Sequence, residues 1–167
     1  MSNDVKARFT WDKETAILSS ELFYKYEFRH SYRRYVGWVF IAMAQFGVVG
    51  ALKHDSYGML IVSSFLLLYW YGVRWKLRKR LAKQLFTTSP LADKEIVTSF
   101  TKEGMQTDAS LVSWNEVHKV VEAKSGFLLY ADNQSSFFPK EGFTSSEERL
   151  TLRELITKND VIYEKEL

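Results

Sequence analysis

Val36–Leu52 reads VGWVFIAMAQFGVVGAL and Tyr57–Val73 reads YGMLIVSSFLLLYWYGV, with only Lys53, His54, Asp55 and Ser56 between them. Neither run carries a charged side chain. About 17 residues of helix rise about 25 Å at roughly 1.5 Å each, just short of the roughly 30 Å hydrocarbon core of a bilayer. Tyr35, Trp38, Tyr69, Trp70, Tyr71 and Trp75 are amphipathic and stand where headgroups would complete the span. So short a connector predicts an antiparallel helical hairpin, and in hydrocarbon a helix satisfies its own backbone hydrogen bonds. The alternative is a pair of core helices in a soluble bundle. Such helices usually keep a polar stripe, whereas Gln45 is the only strongly polar side chain of the first run and Ser63 and Ser64 are those of the second.

The serine hydroxyls can return to carbonyls of their own helix, but an amide in lipid needs a partner. For Gln45 that partner lies either across the hairpin or in a second copy of the chain. Ala44, Gly47 and Ala51 fall at i, i+3 and i+7, a small-residue stripe along which another helix can approach. With Gln45 they form the candidate helix–helix contact.

Charge orients the hairpin. Lys25, Arg29, Arg33 and Arg34 precede the first span, and Arg74, Lys76, Arg78, Lys79, Arg80 and Lys83 follow the second, while the connector has Lys53 offset by Asp55. The positive-inside rule then places both termini in the cytoplasm. The candidate membrane interface comprises Arg33, Arg34 and Trp38 at one end of the hairpin. Tyr69, Trp70, Arg74, Trp75, Lys76, Arg78, Lys79 and Arg80 supply it on the same side, where the second span ends. The basic cluster suits anionic lipid headgroups at about 1 kcal/mol per residue near the surface, or acts as a topology determinant without a specific ligand. No RNA-binding aromatic motif accompanies it, so nucleic acid is not an expected partner.

Mean hydropathy is slightly negative, but the apolar residues are concentrated in this one block. In 167 residues there is room for an anchor and one small domain. Cysteine is absent, which removes disulfides and thiolate metal sites and fits a cytosolic face. The net charge of +3 comes largely from the juxtamembrane clusters. The first 30 or so residues show no apolar core of a cleavable signal, so the first span is expected to direct insertion.

Three regions follow: an N-terminal strand and amphipathic helix over residues 1–34, the transmembrane hairpin with its basic extension over 35–86, and a cytoplasmic β domain over 91–167. Val5 to Trp11 alternates apolar and polar residues, a strand pattern that needs a partner in the C-terminal half. From about Thr15 toward Arg34, Ile17, Leu18, Leu22, Phe23 and Tyr26 recur at helical spacing, marking a helix that either continues into the first span or kinks before it. That helix either packs on the C-terminal domain or lies in the membrane interface. Past the second span the helix is expected to run through Leu85 and stop at Thr87-Thr88-Ser89-Pro90.

Beyond Pro90 the residues turn to β. Ile96–Thr101, Leu111–Trp114, Val117–Ala123, Phe127–Ala131 and Ser135–Phe138 are short β-branched and aromatic runs. Glu103-Gly104, Asp108-Ala109-Ser110, Ser125-Gly126 and Asp132-Asn133-Gln134 punctuate them as turns. A last helix over about Ser146–Lys158 offers Leu150, Leu152, Leu155 and Ile156, and Ser145 with Glu148 has the capping-box pattern. The expected fold class is an α+β membrane protein, a two-helix transmembrane hairpin plus a small antiparallel sheet capped by a C-terminal helix.

Trp114-Asn115-Glu116-Val117, then Phe127-Leu128-Leu129-Tyr130, then Phe138-Pro139-Lys140 with Phe143, then Leu152-Arg153-Glu154-Leu155-Ile156 resembles the pattern of the YcxB-like family. The resemblance implies a small bacterial inner-membrane protein with a paired transmembrane hairpin and a C-terminal domain like pleckstrin-homology (PH-like) domains. It implies no activity and no catalytic residues.

Other chemistry has little footing. His30, His54 and His118 are far apart in sequence, so no histidine metal site is expected. There is no phosphate-binding glycine loop and no hydrolase signature. Asp108 and Asp132 read as solvated turn formers, and Trp114 and Phe143 as core. The expected function is therefore a non-enzymatic, membrane-tethered binding or scaffolding module, with no cofactor or metal. Its expected partners are anionic headgroups and another membrane protein or a second copy. The alternative is a subunit of a homo- or hetero-oligomeric membrane complex assembled through the hairpin.

Overall fold

A computed structural model describes residues 4–107, 110–132 and 134–165, with Arg33 described by its backbone alone. Asp108 and Asn133 lie outside the described residues. The chain divides into two compact units, Met1–Leu22 with Pro90–Leu167, and Phe23–Ser89.

The first unit is built on eight strands in two four-stranded sheets. β1 (Val5–Thr10) pairs antiparallel with β2 (Glu95–Phe100), from Val5 opposite Phe100 to Thr10 opposite Glu95. The alternation read in the sequence is realised: Val5 and Ala7 are buried while Lys6 and Arg8 face solvent. β3 (Gly104–Thr107) and β4 (Ser110–Ser113) complete this sheet in the order β1-β2-β3-β4. A 3-10 turn over Trp114–Glu116 then breaks the chain away from β4. β5 (Val117–Glu122), β6 (Gly126–Ala131) and β7 (Ser135–Pro139) form an antiparallel meander. The helix α5 (Ser146–Lys158) follows, and β8 (Ile162–Lys165) returns parallel to β5, giving the order β7-β6-β5-β8.

A single antiparallel sheet was expected, and two sheets with one parallel pair are found. β3 escapes a sequence reading because Gly104-Met105-Gln106-Thr107 opens on a glycine that looks like turn chemistry. Gly104 has φ +159°, and a Cβ there would meet the Val112 carbonyl oxygen at 2.2 Å. β8 escapes because four residues carry too little pattern until a partner strand is known. The core joins both sheets and α5 through Phe100, Met105, Trp114, Phe127, Phe138, Phe143, Leu152 and Ile156. Trp114 and Phe143 are buried, as expected. The indole N–H of Trp114 donates to the Thr101 carbonyl at 2.9 Å, so its polar edge is satisfied inside.

The start of α5 is fixed locally. Ser145 Oγ accepts from the Glu148 N–H at 3.2 Å, and the Glu148 carboxylate accepts from the Ser145 N–H, closing the capping box. Asp12 does the same work for α1 (Lys13–His30), accepting from the Thr15 N–H at 2.7 Å. That bond holds the Asp12 carboxyl below its ordinary range.

The second unit contains α2 (Arg33–Lys53), α3 (Tyr57–Leu68), a π-helical turn over Tyr69–Val73, and α4 (Arg74–Thr88). α1 stops at His30 and does not continue into α2; Ser31 and Tyr32 intervene. Between α2 and α3, Asp55 turns the chain at φ 51°, and the Ser56 N–H donates to the Ala51 carbonyl at 2.9 Å. Gly50 lies beside Met59, Gly47 beside Ser63, and Gly37 beside Trp70, so α2 and α3 run antiparallel. Backbone angles at Leu68, Tyr69, Val73 and Arg74 are all helical, so α3, the π turn and α4 form one continuous rod. Among the described residues one α-helical segment, Arg34–Lys53, is long and apolar enough to cross a membrane by length and composition. The second apolar run is divided between α3 and the π turn.

Candidate functional site

Helix α2 carries two seams. Gly37, Ile41, Ala44 and Ala51 are buried, and Gly47 approaches α3 so closely that a Cβ would meet Ser63 Oγ at 2.3 Å. The small-residue stripe is thus occupied within the hairpin itself, where absent side chains let the two backbones come together. Gln45 does not belong to this contact. Its side chain is exposed on a different face, away from Ser63.

The basic and aromatic residues at the open end of the hairpin interlock. The Arg74 guanidinium lies 4.5 Å from the Trp70 ring centroid, 5.1 Å from Phe28 and 5.3 Å from Tyr24. It also donates to the Tyr24 hydroxyl. Arg78 also stacks on Tyr24, at 3.2 Å from its ring, and Lys79 sits 5.3 Å from Trp75. Trp70 packs against Phe40 at 5.6 Å, in space that Gly37 keeps clear. These cation–π contacts hold the half-buried Trp70, Arg74, Trp75 and Arg78 in fixed positions, while Lys76, Lys79 and Arg80 project into solvent. At the start of α2, Arg34 lies 5.7 Å from the Tyr35 ring and Trp38 is exposed, as is Tyr69. The side chain of Arg33 lies outside the described residues. The π turn separates Trp70, which packs on Phe40 of α2, from Arg74, which reaches Tyr24 and Phe28 of α1.

The β unit holds the most perturbed titratable group of the described residues, one the sequence reading missed. Glu122, the last residue of β5, is 1% exposed. Arg153 of α5 grips it with two charge-assisted bonds, Nε to Oε2 and Nη2 to Oε1, each 2.8 Å. Lys140, just past β7, adds a third contact at 2.8 Å, and the Tyr163 hydroxyl of β8 donates to Oε2. Burial alone would raise this carboxyl, but the bonds from Arg153, Lys140 and Tyr163 win and bring it down to about 2. Tyr163 is pushed up to about 12, by burial first and by the Glu122 carboxylate second. The cluster ties α5, β8 and the end of β7 to one strand. Lys140 and Arg153 stand inside the motif quoted above, but nothing in the sequence joins them to Glu122. The one available signal was an acid inside the apolar run Val120-Val121-Glu122-Ala123, since glutamate is seldom buried unpaired.

A groove of about 1040 Å³ runs between the outer strands of the first sheet and α5, lined by Lys102, Glu103, Gln106, Leu111, Glu154 and Lys158 among others. β4 forms one edge of that sheet, and Leu111 on it is exposed. His118 on β5 meets Asp132 at 2.5 Å, an exposed pair at the mouth of the β5–β6 hairpin. The structure brings neither His30 nor His54 into this unit. Among the described residues no group of three or more histidine, aspartate or glutamate side chains is arranged to hold a metal.

Residues 100–156 match the YcxB-like protein family. The matched segment runs from the last residue of β2 into α5 and contains Glu122, Lys140 and Arg153, while Tyr163 falls beyond it. No curated protein is similar to this chain at a significant level. No solved structure is either.

Proposed function

We propose that the chain is an integral protein of the bacterial inner membrane whose hairpin crosses the bilayer twice with both termini in the cytoplasm, presenting the β unit as a non-enzymatic binding and scaffolding module. The observation that carries this reading is the exposure of α2. Only 22% of its most apolar window is buried, whereas a core helix of a soluble protein is mostly buried. An apolar surface of that extent in water is a strong liability, and in lipid it is the expected one. The rod of α3 and the π turn exposes Ile61, Phe65 and Leu68 in the same way. Trp70 and Arg74, locked together where the apolar run ends, resemble an interfacial belt, and the exposed Lys76, Lys79 and Arg80 suit anionic headgroups.

Two spans would confine the β unit to the inner leaflet and raise its effective concentration for partners there. Two four-stranded sheets with a C-terminal helix are compatible with a PH-like module. The edge of β4 beside the groove along α5 offers main-chain groups to an extended peptide. Catalysis finds no support in Glu122, whose carboxylate is fully engaged and out of reach of solvent.

The test is fractionation of cells expressing the intact chain. Retention in the membrane pellet through an alkaline carbonate wash, with both termini protected from protease added to spheroplasts and cleaved once these are lysed, is the expected result. Recovery of the chain in the supernatant would defeat the reading.

A further inference from the structure

Trp38, Ala42, Gln45, Val49 and Leu52 follow one another at spacings of four and three along α2, and all five are exposed. This is a second heptad-like seam, turned about 100° from the one that packs on α3. Its centre is an amide. Gln45 stands 11 residues after Arg34 and 8 before Lys53, so it lies about 16 Å and about 12 Å from the two ends of the candidate span. A glutamine side chain cannot reach the headgroups from there. No hydrogen bond of the Gln45 side chain occurs among the described residues.

We infer that this seam is the interface between two copies of the chain, paired in parallel with Gln45 opposite Gln45. The inference rests on the membrane reading above. In hydrocarbon an unpaired amide is costly, and only another polar group on a neighbouring helix relieves it. Copies inserted with the same orientation meet about a two-fold axis along the membrane normal, which sets each residue against itself. Glutamine is self-complementary in that arrangement, because its NH₂ donates to the partner's amide oxygen while its own oxygen accepts in return. Ala42, one turn before it, is small enough to let the helices approach.

The chain has no cysteine, so single cysteines report proximity cleanly. With the full chain in native membranes, Ala42→Cys and Val49→Cys are expected to cross-link into a dimer under mild oxidation. Phe46→Cys, about 80° off the centre line of the seam, is expected to cross-link far less. In vesicles, energy transfer between labelled copies during lipid dilution measures the association. Gln45→Leu is expected to weaken it about tenfold, the scale of one or two interhelical amide bonds, and Gln45→Asn to retain most of it. Equal cross-linking at all three positions, an unchanged association for Gln45→Leu, or an adduct whose mass belongs to another protein would each overturn the pairing. A chain that pellets with membranes but behaves as a monomer defeats the dimer alone; a chain absent from membranes defeats the underlying reading as well.

Discussion

In the β unit most bulky side chains face inward, and along α2 and α3 of the helical unit most of them face outward. Phe100, Phe127 and Leu128 are almost completely buried in the former. In the helical unit Phe46, Tyr57 and Phe65 are exposed, while Ala44, Ala51 and Ser63 are buried, with Tyr26, Ile41 and Phe86 as the larger buried exceptions. The polar groups invert as well: Glu122 is buried and saturated with partners, and Gln45 is exposed on an apolar face. On the membrane reading proposed above, one chain follows two rules, each set by the solvent around it. Water rewards hiding a phenyl ring, while lipid tails are as apolar as the ring and leave close backbone packing to select what goes inside.

The contrast can be broken most forcefully in the β unit. Phe127→Ala should destabilise it by about 3–5 kcal/mol, since a fully buried ring is lost and a cavity remains. Urea unfolding followed through Trp114 fluorescence reads the change, and a cost near zero would mean that this core is not close-packed.

Glu122→Ala should cost a similar about 3–5 kcal/mol by leaving Arg153 and Lys140 facing each other without the anion between them. Arg153→Ala should cost less, because Lys140 and Tyr163 still satisfy the carboxylate. The pH dependence has a definite sign. The Glu122 carboxyl is held at about 2 in the folded chain against an ordinary 4.5. Its contribution is therefore complete above pH 4.5 and declines as the pH falls toward 2. Acid titration of stability should show this decline in the native chain and its loss in Glu122→Gln.

The helical unit should answer in the opposite sense to size. Gly47→Leu drives a side chain into Ser63 and should weaken the hairpin by about 1–3 kcal/mol. Phe46→Ala, which removes a large exposed ring, should change it by no more than about 0.5 kcal/mol. Unfolding in mixed micelles compares the two. A larger loss for Phe46→Ala would mean that the ring is buried in an interface after all, and would place the contact between copies one residue away from the Gln45 seam.

Legibility differed between the units for a physical reason. Two helix ends were readable because their signals are local: Ser145 with Glu148 at the start of α5 and Ser89-Pro90 after α4 each act within a few residues, whereas α1 begins two residues before the expected Thr15 and stops at His30, short of Arg34. The strand runs after Pro90 were readable by composition, with boundaries displaced by about one residue. β3 and β8 were not, being four residues each and dependent on neighbours for their identity. In the candidate site, the interfacial aromatics and basic residues could be picked out one by one. That Arg74 would be caged between Trp70, one turn before it, and Tyr24 and Phe28 could not, since those two rings come from α1, far back in the sequence.

The sequence by itself determined the helices and six of the eight strands, where the apolar surface is concentrated, and on which side of it the positive charge falls, because periodicity, capping and composition are properties of neighbours along the chain. Only the tertiary structure decided that β1 pairs with β2 across the intervening helices and that β8 lies parallel to β5. It alone joined Glu122 to Arg153, Lys140 and Tyr163, and it spent the small-residue stripe inside the hairpin while leaving Gln45 outside. Those outcomes depend on which faces meet, and a face acquires its partner only when the chain has closed around it.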